Sequence, residues 1–104
     1  MKPLDVSPAD LETVRTILLR HVPEYEVRAF GSRVRGTARR ASDLDLAIMT
    51  ARPLEAARMA DLRAAFTESD LPFRVDLADW ATTNEAFRKI IEAQATVIRR
   101  AGPK

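Results

Sequence analysis

Two aspartates, Asp43 and Asp45, are separated by a single leucine. On an extended chain, residues two apart project to the same face, with Cα atoms roughly 6–7 Å apart. Carboxylates placed this way can share divalent cations about 3.5–4 Å apart, as phosphoryl chemistry with two metals requires. Leu44 and Leu46 would pack the other way and fix the strand. A third carboxylate, Asp76, has the same alternation around it, with Phe73, Val75 and Leu77 inward. If the two strands are neighbours, the three acids converge. Asp-Leu-Asp at a strand start is also what a turn residue and a solvated side chain look like, so the pair alone does not decide. Gly31-Ser32, directly after another alternating stretch, adds weight. Glycine lets backbone N–H groups approach a phosphate, the serine hydroxyl adds a donor, and Arg33 adds charge. The combination is suited to a nucleoside triphosphate and Mg²⁺.

These residues must be positioned by one small domain, residues 1–104. Hydrophobic residues are 46% and charged residues 31%, ordinary for a globular chain and against disorder. The longest apolar run is four residues, Leu46 to Met49, too short for a membrane span or a secretory leader. A cytoplasmic location with no membrane partner is the expectation. With no cysteine and one histidine, zinc sites are excluded, leaving hard cations held by carboxylates. The net charge of +2 does not call for direct nucleic-acid binding. Arginine nevertheless supplies 14 of the 17 basic residues, four of them (Arg33, Arg35, Arg39 and Arg40) between Phe30 and Asp43 with no acid among them. A guanidinium grips phosphate with a planar donor fork, although a solvated loop gives the same composition.

Residues 1–6 read as a short tail. Ser7 as N-cap, Pro8 at the first helical position and Asp10 in the first turn predict a helix to about His21, with Leu11, Val14, Leu18 and Val22 on its apolar face. Pro23 stops it. Alternation predicts strands over 24–30, 43–49 and 73–77, with a turn or short helical piece at 34–41. A helix is expected from Pro53 to about Glu68. A last helix follows, capped by a Thr82–Glu85 box, with Phe87, Ile90, Ile91 and Val97 or Ile98 on its inner face. The order helix, strand, strand, helix, strand, helix predicts an α+β, two-layer fold.

The stretch GSRVRGTARRASDLDL fits the pattern G-S-x(10)-D-x-D without gaps. With RAFGSRVRG, SDLDLAI and the later FRVDLADW, the sequence resembles the minimal nucleotidyltransferases of the DNA polymerase β-like superfamily. The motifs run from about Arg28 to Trp80. The resemblance implies the nucleotidyltransferase fold, with a small three-stranded mixed sheet packed against helices. It implies that Gly31 and Ser32 hold the triphosphate of ATP and that Arg33 pairs with the phosphates. Arg35 is a weaker candidate for that role. It implies that Asp43 and Asp45 bind two Mg²⁺ ions. Asp76 would complete one metal site and help deprotonate the attacking hydroxyl, and Ser42 would orient Asp43 or simply turn the chain. Small stand-alone members resemble the antitoxin halves of toxin–antitoxin pairs whose partners are helical HEPN ribonucleases. The implied activity is transfer of AMP from ATP to a tyrosine of the toxin. Where such chains often end in a Gly-Val-Val-Leu-Tyr-like segment, this one has Gln94-Ala95-Thr96-Val97-Ile98-Arg99-Arg100.

Two rival readings are an antitoxin that acts by binding alone and a transferase for a small molecule. His21 is expected to meet a helix end as a cation. Trp80 and Tyr25 read as packing residues, and Asp79 as solvated or capping.

Overall fold

The computed structural model describes residues 4–39 and 42–102. Met1 to Pro3, Arg40, Ala41, Pro103 and Lys104 lie outside the described residues, and with them part of the expected tail and of the arginine-rich turn. Helix α1 (Pro8–His21) opens as expected: the Ser7 hydroxyl accepts the Asp10 N–H at 3.2 Å. Strand β1 (Val27–Phe30), the single-turn helix α2 (Ser32–Arg35), strand β2 (Leu44–Ile48), helix α3 (Ala56–Thr67) and strand β3 (Val75–Asp79) follow. A 3₁₀ turn (Trp80–Thr82), helix α4 (Glu85–Gln94) and strand β4 (Thr96–Arg99) complete the chain.

Among the described residues the sheet has four strands in the order β3-β2-β1-β4, one more than expected. It is mixed: β2 and β3 run parallel, while β1 is antiparallel to both β2 and β4. The additional strand comes from the end of the expected last helix. Ile91 and Ile98 are seven apart, so helical spacing could run through them. Thr96-Val97-Ile98 is a β-branched run, however, and such residues favour a pleated backbone. Ala95 is already extended (φ −63°, ψ 141°), and β4 covers an edge of β1 that would otherwise carry unpaired amide groups. The cap of α4 also differs from the expected box: Asn84 Oδ1 accepts the Phe87 N–H at 2.8 Å.

Alternation along the strands divides the side chains between two layers. Leu44, Leu46 and Ile48 of β2 pack with Val14 and Leu18 of α1 and with Met59, Leu62 and Phe66 of α3. On the other side, Ala47 packs with Phe30 and Ile91 of α4. Asp45 shares the parity of Ala47, so the main core fixes β2 while its carboxylate faces the α4 side. The expected tail is tied down from Leu4 onward. Leu4 and Val6 lean on the main core, and the Asp5 N–H donates to the Arg33 carbonyl at 2.8 Å.

Candidate active site

In the parallel pairing of β2 with β3, Asp45 lies directly opposite Asp76. Paired residues on adjacent strands stand about 5 Å apart, so these two carboxylates share one face. Asp43, immediately ahead of β2, shares their parity. Its charge reaches Asp45, whose carboxyl is pushed up to about 6. Burial is the main cause, followed by the charges of Asp76 and then Asp43, with Arg35 pulling the other way.

The antiparallel pairing of β1 with β2 sets Phe30 opposite Asp45, which brings the next residue, Gly31, onto the carboxylate. Gly31 has φ +84°, a conformation open to glycine but strained for other residues. A Cβ there would stand 3.1 Å from Asp45 Cγ and closer still to Oδ2. A glycine at this turn is expected to offer a backbone donor for phosphate. In the structure the Gly31 N–H donates to Gln94 Oε1 at 2.9 Å, and what the glycine contributes is room. Ser32 follows at the start of α2, beside this turn.

Arg33 departs from expectation. Its side chain is buried: Nε donates to the Ser42 carbonyl at 3.0 Å, Nη1 to the Asp5 carbonyl at 2.8 Å, and the guanidinium lies 4.3 Å from the centre of the Phe73 ring. It braces the segment leading into Asp43. Arg35, two residues on and exposed, lines the cavity instead. Ser42 likewise acts through its carbonyl on Arg33, and its hydroxyl accepts the Arg39 N–H at 2.8 Å. Asp79, expected to be solvated or capping, is half-buried. It accepts the Thr50 hydroxyl and the Leu54 N–H, fixing the loop that leads into α3. Tyr25 packs against the core, and Arg58 lies 5.7 Å from its ring centre. Trp80 packs beside Ile91 under Arg88.

The cavity over Asp45 and Asp76 has a volume of about 290 Å³. Its far wall is α4, which presents Phe87, Ile90 and Gln94 three and four residues apart on one helical face. That spacing was visible in the sequence, but nothing there showed that this face looks onto the carboxylates. A larger cavity of about 700 Å³ lies between α3 and β3 and also touches Asp76.

Among the described residues, no three His, Cys, Asp or Glu side chains lie close enough together to hold a metal ion, so the expected convergence of all three aspartates is not seen. The donor set still fits a hard divalent cation in kind. It is all carboxylate oxygen, and Asp45 is held against two like charges that a cation would offset.

Residues 11–101 match the family described as Nucleotidyltransferase domain. The chain belongs to that family. It is 54% identical over 96 residues to the probable protein adenylyltransferase MntA of Haemophilus influenzae, a match covering 92% of this chain and 84% of that protein. Among solved structures, a toxin–antitoxin complex with AMP-PNP has a chain that superposes with a TM-score of 0.73 at 24% identity, covering 86% of this chain and 73% of that one. The MNT antitoxin complex with a tri-AMPylated HEPN toxin of Shewanella oneidensis matches with a TM-score of 0.67 at 18% identity, over 88% and 71% of the two chains. These two likenesses establish the nucleotidyltransferase fold. The chain is thus a nucleotidyltransferase with an α+β fold. No helix among its described residues is long and apolar enough to cross a membrane.

Proposed function

We propose that this nucleotidyltransferase is an antitoxin that moves AMP from ATP to a tyrosine hydroxyl of a helical HEPN toxin and so silences it. The observation that carries the reading is the register of Asp45 against Asp76 beside the Gly31 turn. The 54% identity to a probable protein adenylyltransferase supports a protein acceptor, and the complexes with HEPN toxins support the kind of partner.

In the proposed reaction the acceptor oxygen attacks the α-phosphorus of ATP in line. The bond from that phosphorus to the bridging oxygen breaks, and pyrophosphate leaves. Asp76, the more exposed of the facing pair, takes the hydroxyl proton. Ser32 and Arg35 hold the phosphates, and the buried Arg33 keeps the Asp43 segment in place. Asp43, Asp45 and Asp76 would hold two Mg²⁺ ions, which when bound supply charge stabilisation for the attacking and leaving oxygens. The apolar face of α4, Phe87 and Ile90, keeps bulk water from one side of the cavity.

The test is incubation with ATP, Mg²⁺ and the HEPN toxin that pairs with it, followed by intact-mass measurement of the toxin. An increase by whole AMP units supports the reading. A silenced toxin of unchanged mass would leave neutralisation by binding alone. Protection of growth against an aminoglycoside would instead indicate a small-molecule acceptor.

A further inference from the structure

Gln94 is the last residue of α4 and lies in the wall of the cavity that holds Asp45 and Asp76. Its contact with the Gly31 N–H joins residues 63 apart in sequence. The chemistry of that contact fixes which way the amide points. A backbone N–H only donates, so the atom facing it must be Oε1, and Nε2 must lie on the other side. Nε2 carries two donor hydrogens. Among the described residues no acceptor takes either, and no side-chain nitrogen or oxygen there is both buried and without a partner. The NH₂ group is therefore open to solvent, on a residue that lines the cavity.

The surroundings suit a polar, uncharged donor. Asp45 and Asp76 lie in the same wall, Arg35 supplies the positive charge, and Phe87 and Ile90 make the apolar side. A cationic side chain at position 94 would compete with a metal ion for the carboxylates, and an anionic one would repel a triphosphate. A neutral amide does neither.

We propose that Gln94 is a nucleotide-binding residue with two simultaneous contacts. Oε1 pins the Gly31 turn, and Nε2 donates a hydrogen bond to a phosphate oxygen of the bound nucleotide. The inference rests on the ATP-using reading above and adds a residue from outside the G-S and D-x-D motifs. It also accounts for the loss of the Gly31 N–H as a phosphate donor: the side-chain amide that occupies it offers a replacement donor on the cavity side.

The experiment compares Gln94→Glu, Gln94→Ala and the natural chain for Mg·ATP affinity by calorimetry, with the melting temperature of each. Glutamate still accepts the Gly31 N–H, so the turn stays pinned, but it replaces the donor with an anionic oxygen. The expected result is a loss of about tenfold or more in ATP affinity for Gln94→Glu, measured where the variant is still fully folded. Gln94→Ala, which adds no charge beside the carboxylates, is expected to lose about threefold to tenfold. Natural affinity in either variant overturns the proposal, because Gln94 then serves only to hold the turn or its replacement acts by charge alone. So does a loss that is no greater in Gln94→Glu than in Gln94→Ala and follows a falling melting temperature. A natural chain that binds no Mg·ATP overturns the functional reading itself and this inference with it, a result distinct from any difference between variants.

Discussion

The Cα of Gly31 lies against the carboxylate of Asp45, so that any side chain at position 31 would displace the acid from its place opposite Asp76. Two constraints coincide there, a positive φ and a missing volume. Gly31→Ala should therefore lower stability by about 1–3 kcal/mol through backbone strain and abolish nucleotidyl transfer. Chemical denaturation and a transfer assay check the two effects. An active, fully stable Gly31→Ala would show that the turn does not shape the site.

Asp45 raises a point about stability and pH. Its folded carboxyl titrates near 6, above the ordinary value of 3.8. A raised folded value means the native state binds the proton more tightly than the unfolded chain does. The stabilisation is complete below about 4 and is lost as pH rises through about 6. In metal-free buffer, Asp45→Asn should remove this loss and melt above the natural chain at pH 7, with the gap closing toward pH 4. Thermal melts of both proteins across that range check it. The same variant should lose Mg²⁺-dependent activity.

Arg33 and Arg35 should separate cleanly. Arg33→Ala removes buried bonds to the Ser42 and Asp5 carbonyls and the stacking on Phe73, and should cost about 2–3 kcal/mol of stability. Arg35→Ala should cost less stability than Arg33→Ala and weaken ATP binding. Urea melts alongside calorimetry distinguish the two. Equal losses of ATP affinity at equal stability would contradict the assignment.

The C-terminal strand gives a packing prediction. Ile98 is buried in the main core and Val97 is exposed. Ile98→Ala should cost about 2–4 kcal/mol, whereas Val97→Ala should change little. A continuing helix would instead allow both to turn inward in part, with losses shared between them.

The strand geometry of the candidate site is legible because strand parity is strict. Leu44 and Leu46 identify the buried face, which leaves Asp43 and Asp45 on the other, and Val75 and Leu77 do the same for Asp76. The first helix was legible from Ser7, Pro8 and Asp10, which carry start signals with local causes. The burial of Arg33 is not legible, because composition shows a cation but not its surroundings. Only the fold brings Asp5, Ser42 and Phe73 around it. Gln94 was missed because its partner lies 63 residues away and no local pattern marks it. The last strand was hidden because Ile91 and Ile98 satisfy helical spacing, while the open edge of β1 that draws Thr96–Arg99 into the sheet is a tertiary feature.

Asp45 and Asp76, facing each other beside Gly31, are the pair on which the proposed transfer of the nucleotidyl group of ATP depends. The most direct measurement gives the protein and the HEPN toxin proposed as its partner ATP labelled at the α-phosphate or, in parallel, at the γ-phosphate. Label on the partner from the α position only, dependent on Mg²⁺ and absent with Asp45→Asn or Asp76→Asn, is the result expected. Label from the γ position, or undiminished α-label transfer by the Asp45→Asn, Asp76→Asn double variant, would contradict it.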